Sequence, residues 1–181
     1  EYTMQTVLEV KQVTKQYGQQ YALDHVSLSI QKGDIYGLIG KNGAGKTTLL
    51  KTISRLIHAN SGTVSVFGSQ NSKEWNEALR KIGTVIETPV AYNQMTAYQN
   101  LNYYCKVHQI AQPDQLIKET LAYVGLSNTG KKKFRNFSLG MKQRLGIAIA
   151  LISKPELMIL DEPINGLDPL GICLLYTSDA A

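Results

Sequence analysis

The chain has 181 residues, 43% of them hydrophobic and 18% charged, with a formal net charge of +5. That length carries one sizeable core with room for a subdomain, and that apolar share excludes a disordered chain. No apolar run nears the roughly 20 residues of a membrane helix, no basic-then-apolar leader is visible, and two cysteines, Cys105 and Cys173, form neither a metal spacing nor a disulfide framework, which fits a reducing compartment.

Met4 reads as the natural start, with residues 1–3 as read-through from upstream. Residues 8–13 alternate apolar and polar, then reach the turn at Tyr17 and Gly18. Residues 22–30 alternate again through Leu23, Val26, Leu28 and Ile30, so an antiparallel pair is predicted. Residues 34–39 are nearly all apolar and end at Gly40; that pattern predicts a strand buried on both faces, as in a parallel sheet. Beyond a glycine-rich turn, Leu49, Leu50, Ile53, Leu56 and Ile57 recur at helical spacing. Residues 63–67 and 82–86 read as short strands. From Thr88 to Pro155 the signals turn helical. Thr96 and Gln99 form a capping box before a face of Leu101, Tyr104, Cys105 and His108. Residues 114–124 make a second helix stopped by Gly125, and Ser138 opens a third that runs to about Ser153 and ends at Pro155. The basic run from Lys131 to Arg135 lacks interleaved aromatics, so it reads as a solvated loop and not as a nucleic-acid patch. Strand character resumes at 157–160.

Two motifs carry chemistry. Residues 40–47, GKNGAGKT, fit G-x-x-x-x-G-K-[ST] between a predicted strand and an amphipathic helix. The glycines let the backbone curl so that successive N–H groups face phosphate oxygens, and the helix adds its positive end. The nucleotide-binding set is Gly40, Lys41, Asn42, Gly43, Ala44, Gly45, Lys46, Thr47 and Thr48. Within it Lys46 supplies a point charge for the β and γ phosphates, and Thr47 offers a hydroxyl to Mg²⁺. The second motif is ELMILDEP at 156–163, an apolar strand ending in two acids. Asp161 stands where ligands bind in open α/β sheets and is a candidate for Mg²⁺ contact. Glu162 follows as the group that polarises the attacking water.

P-loops are shared by kinases, GTPases and ATPases. A guanine-reading N-K-x-D is absent, while FSLGMKQRLGIA at 137–148 precedes the acids closely. This combination resembles the ATP-binding domain of ABC proteins, from about residue 8 to 171. The resemblance implies an α/β fold: a P-loop NTPase (RecA-like) core with an N-terminal antiparallel β subdomain and an α-helical insert, C-terminally truncated. It implies one domain over 4–172, with the helical subdomain at about 88–155. It also implies that Ser138, Leu139, Gly140, Met141 and Lys142 form a signature capping the ATP of a second subunit. Leu139 stands where the first of two glycines is usual. By the same resemblance Tyr17 stacks on adenine, Asp168 in the N-G-L-D stretch at 165–168 touches the opposing site, and Glu87 stands where most transport ATPases have glutamine. Glu87, Asp161 and Thr47 then make up the metal-binding set; an ionised Glu87 binds Mg²⁺ through its charge but cannot donate a hydrogen bond.

Glu87, the degenerate signature and DEPINGLDPLGI together resemble the subgroup that protects Gram-positive bacteria from lantibiotics and bacitracin. The resemblance implies ATP and Mg²⁺ as cofactors, a second ATP-binding subunit and separate membrane-spanning permease subunits as partners, and a peripheral place on the cytoplasmic face of the membrane. The alternatives are a non-transport ABC ATPase or a regulatory ATP-binding module. Residues 173–181, CLLYTSDAA, resemble translated sequencing adapter and read as a non-native tail. None of His25, His58 and His108 follows the second acidic motif, so the switch histidine of the family is not among them. The 181 residues alone are therefore expected to bind nucleotide weakly and turn over little.

Overall fold

β1 (Thr6–Tyr17) and β2 (Gln20–Gln31) form the predicted antiparallel pair, each longer than its alternation suggested, joined at Gly18. Val10 faces Leu28 and Tyr17 faces Gln20, with the ladder shifting register between Val10 and Val13. β3 (Ser61–Val66) adds to the other edge of β1, giving the order β2-β1-β3. Val10, Val13 and Val66 are fully buried, which is the core the alternation required. The structure, a computed structural model, describes residues 5–69, 72–87 and 91–161. Two compact units divide the chain after Arg80.

The first unit also holds α1 (Lys46–Ile53) and α2 (Ser72–Arg80). α1 ends before Leu56 and Ile57, which the helical spacing had included. α2 was not anticipated. Its signal is short: Trp75 and Ala78, three apart, are the buried pair. The Arg55 guanidinium lies over the Trp75 ring, 4.2 Å from its centroid.

The strand predicted at 34–39 is not formed. Ile35 is 68% and Ile39 99% exposed. An apolar run becomes a doubly buried strand only when neighbouring strands supply its hydrogen bonds and its cover. Among the described residues no strand pairs with it. Asp34 instead closes a turn, its carboxylate accepting from the Gln31 N–H at 2.8 Å.

The second unit contains β4 (Ile82–Val85) and β5 (Leu157–Leu160), a parallel pair in the register Ile82–Leu157 to Val85–Leu160. Among the described residues three α-helices accompany them: α3 (Ala97–Val107), α4 (Asp114–Tyr123) and α5 (Leu139–Leu151). The capping box closes as predicted, with Thr96 Oγ1 accepting from the Gln99 N–H at 3.2 Å and Gln99 Oε1 from the Thr96 N–H at 2.9 Å. Leu101, Cys105, Ile117, Leu145 and Ile152 form a core shared by all three helices. Buried Asn100 ties the preceding loop down, accepting from the Tyr92 N–H at 2.7 Å and donating to the Thr96 carbonyl at 3.0 Å. The basic run is exposed at Lys131, Lys132 and Lys133, as a solvated loop requires, while Phe134 turns inward. Among the described residues no helix is long and apolar enough to cross a membrane.

Candidate nucleotide-binding site

In the first unit the loop 40–45 leads into α1. Gly43 and Gly45 take φ values of 82 and 87, the left-handed region where an L side chain is strained. Gly45 caps the helix, its carbonyl accepting from the Leu49 N–H at 2.8 Å. The first turn of α1 carries no acidic residue, so nothing on the helix offsets the positive end. Lys46 Nζ donates to the carbonyl oxygens of Gly40 at 2.7 Å and Lys41 at 3.0 Å. Its ammonium thus lies across the loop that precedes it, where phosphate oxygens can take the place of those carbonyls. Residues 41–44 are exposed and Thr47 and Thr48 half-buried, so the loop is open to a ligand.

Tyr17 ends β1 with 54% of its surface exposed. Lys15 Nζ lies over its ring, 5.1 Å from the centroid, and donates to the His58 carbonyl at 2.7 Å. Asn60 fastens the same strand end: its N–H donates to the Thr14 carbonyl and its Oδ1 accepts from the Gln16 N–H, both at 2.8 Å. Sequence reading singled out Tyr17 and missed these three neighbours. Lys15 was findable, because residues two apart on a strand share a face. His58 and Asn60 were not, since their contacts span more than 40 positions and leave no local pattern.

In the second unit the Asp161 N–H donates to the Val85 carbonyl at 2.8 Å. Asp161 therefore follows the end of β5 as Glu87 follows the end of β4. The two carboxylates belong to the carboxyl ends of neighbouring parallel strands, about 4.8 Å apart in a sheet. Glu87 has a φ of 63, an uncommon conformation for a residue with a side chain. Hard oxygen donors of this kind suit Mg²⁺, which takes one or two carboxylates plus substrate phosphates and not a full protein cage. Among the described residues there is no group of three or more His, Cys, Asp or Glu able to hold a metal.

Ser138 caps α5, its Oγ accepting from the Met141 N–H at 3.3 Å. The hydroxyl keeps its own proton for a further acceptor. Leu139 is 67% exposed, Lys142 Nζ stands over the Phe134 ring at 5.6 Å, and Arg144 donates to the Gly140 carbonyl at 3.4 Å. No acidic residue enters the first turn. The end of α5 is thus positive and open, as a phosphate-facing signature needs.

Tyr17 and residues 40–48 lie in the first unit, and Glu87, 138–142 and Asp161 in the second. Glu162, Asp168 and the tail 173–181 lie outside the described residues.

The family described as ABC transporter matches residues 23–165. The bacitracin transport ATP-binding protein BcrA of Bacillus licheniformis is 47% identical over 169 residues, covering 93% of this chain and 55% of its own length. The lantibiotic transport ATP-binding protein SrtF of Streptococcus pyogenes is 44% identical over 167 residues, 92% of this chain and 70% of its own. Among solved structures, an ATP-binding subunit of an ABC transporter superposes with a TM-score of 0.82 at 32% identity, covering 94% of this chain and 72% of that one. The protein cbiO1 of Clostridium perfringens superposes with a TM-score of 0.75 at 26% identity, covering 95% and 73%. The chain spans about half the length of the bacitracin-type relatives, 55% and 54% of the Bacillus licheniformis and Enterococcus faecalis proteins.

Proposed function

The chain belongs to the ABC transporter family, and on that premise we propose that it binds and hydrolyses ATP as a subunit of an exporter protecting against bacitracin- or lantibiotic-type peptides. The observation that carries the nucleotide reading is the loop 40–45: two left-handed glycines, an open helix end, and Lys46 laid across the backbone that precedes it. The subgroup reading is supported by the bacitracin and lantibiotic names of relatives 47% and 44% identical to this chain over 169 and 167 aligned residues. The ATP-binding domain runs over 4–172, with its helical subdomain at about 88–155.

Lys46 exchanges the Gly40 and Lys41 carbonyls for β and γ phosphate oxygens, a charge-assisted contact stronger than the one it replaces. Tyr17 stacks on the adenine ring. Thr47, Asp161 and Glu87 are the oxygen donors that would hold Mg²⁺, which when bound neutralises charge on the phosphates. Glu162 polarises the attacking water. Ser138 and Gly140, with the end of α5, cap the ATP held by a second subunit, and Asp168 touches that same opposing site. Separate permease subunits complete the exporter and hold this one on the cytoplasmic face of the membrane of a Gram-positive bacterium.

The test is Mg-ATP binding and turnover by the intact protein, wild type and Glu162→Gln, with co-purification of membrane-spanning subunits. The variant is expected to keep ATP affinity and lose turnover by at least about a hundredfold, the usual worth of a positioned general base. Wild-type turnover in the variant would remove Glu162 from the chemistry. Active protein that retains no membrane-spanning subunit would favour a non-transport ATPase.

A further inference from the structure

We propose that Lys15 is a positioning residue for the nucleotide base, fixing Tyr17 as a platform with one ring face for stacking. This rests on the reading of Tyr17 as the adenine-stacking residue. Lys15 and Tyr17 stand two apart on β1, so both side chains leave the same face of the strand. The Lys15 ammonium lies over the ring, 5.1 Å from its centroid, within the range of cation–π attraction. It is anchored from behind, because Nζ also donates to the His58 carbonyl at 2.7 Å.

That anchor is itself held. Asn60 grips the strand on either side of Lys15, through its N–H to the Thr14 carbonyl and its Oδ1 from the Gln16 N–H, each 2.8 Å. The segment carrying His58 and Asn60 leaves the far end of α1, and the near end of α1 receives the phosphate loop. One short stretch of chain therefore ties the phosphate-binding helix to the base platform. A ring 54% exposed, with the ammonium over one face, has surface left for a flat base to cover. The ligand class is a nucleotide recognised by stacking, not by hydrogen bonds to the base edge, so the contact separates nucleotides from bare polyphosphate.

Calorimetric titration of the intact protein with Mg-ATP and with Mg-tripolyphosphate tests this. Lys15→Met keeps the apolar stem and removes the charge. It is expected to weaken ATP binding about two- to fivefold, the range for an exposed cation–π contact, with tripolyphosphate affinity and kcat unchanged. Lys15→Arg should restore ATP affinity. In a Tyr17→Ala background, Lys15→Met should add nothing. Wild-type ATP affinity in Lys15→Met, with Tyr17→Ala impaired, overturns the role of Lys15 and leaves the platform standing. An unchanged ratio of ATP to tripolyphosphate affinity in Tyr17→Ala overturns the platform and the inference with it. Equal weakening of both ligands in Lys15→Met, or no recovery with Lys15→Arg, reduces Lys15 to a loop fastener and also overturns the inference.

Discussion

Gly45→Ala should cost far more than Gly43→Ala, although both glycines sit at nearly the same φ, 87 and 82. A left-handed conformation costs an L residue about 1–2 kcal/mol at either position. The surroundings differ. At Gly43 an added Cβ meets nothing within 4 Å. At Gly45 it would lie well inside contact distance of the Ala22 carbonyl oxygen and 3.2 Å from Leu23 Cδ2. A backbone oxygen held in β2 cannot rotate away, so strand or loop must shift, an overpacking cost of about 1–3 kcal/mol. The totals are about 2–5 kcal/mol for Gly45→Ala and about 1–2 kcal/mol for Gly43→Ala. For a chain of this size each kcal/mol moves Tm by about 2–4 °C. Thermal and urea unfolding followed by far-UV circular dichroism gives both values side by side. Equal loss in the two variants would remove the clash with β2 from the explanation of why the loop ends in glycine.

Ser138→Ala removes the side-chain acceptor that the Met141 N–H uses at the start of α5, and should lower unfolding free energy by about 1 kcal/mol in a urea titration. Cys105 is fully enclosed in the helical core and burial pushes its thiol up from the ordinary 9.0, so iodoacetamide should label it far more slowly in native protein than in urea. Burial likewise raises Tyr104, and Tyr98 is raised by the hydrogen bond its hydroxyl donates to Asp114. For each group the folded state holds the proton more tightly than the unfolded one. That contribution is complete below the unfolded values and is lost as pH rises through the folded ones. The urea midpoint should therefore fall as pH rises above 9.0, and Cys105→Ala should flatten the fall.

Elements whose burial is local were legible in the sequence. The capping box at Thr96 and the pairing of β1 with β2 each rest on neighbours a few residues away or on a plain alternation. The segment 34–39 was not, because its apolar letters state a capacity for burial while the partner strands decide whether it is used. α2 was missed although Trp75, Ala78 and Leu79 stand at i, i+3 and i+4, because the element is only nine residues long and polar at its other positions. The glycine-rich loop and its passage into α1 were legible, since left-handed glycines at 43 and 45 followed by a helix at Lys46 are what the G-x-x-x-x-G-K-[ST] pattern predicts. The part of the Tyr17 support that comes from His58 and Asn60 was not, because these residues lie in an irregular segment more than 40 positions from the strand end they hold.

The most direct test of the central claim is equilibrium titration of the intact protein with Mg-ATP, wild type against Lys46→Ala. Saturable binding by the wild type and a loss of about ten- to hundredfold in the variant are expected, the worth of a charged hydrogen bond to phosphate. Equal affinity in the two proteins, or no saturable binding by the wild type, would contradict the assignment of residues 40–48 as the nucleotide site.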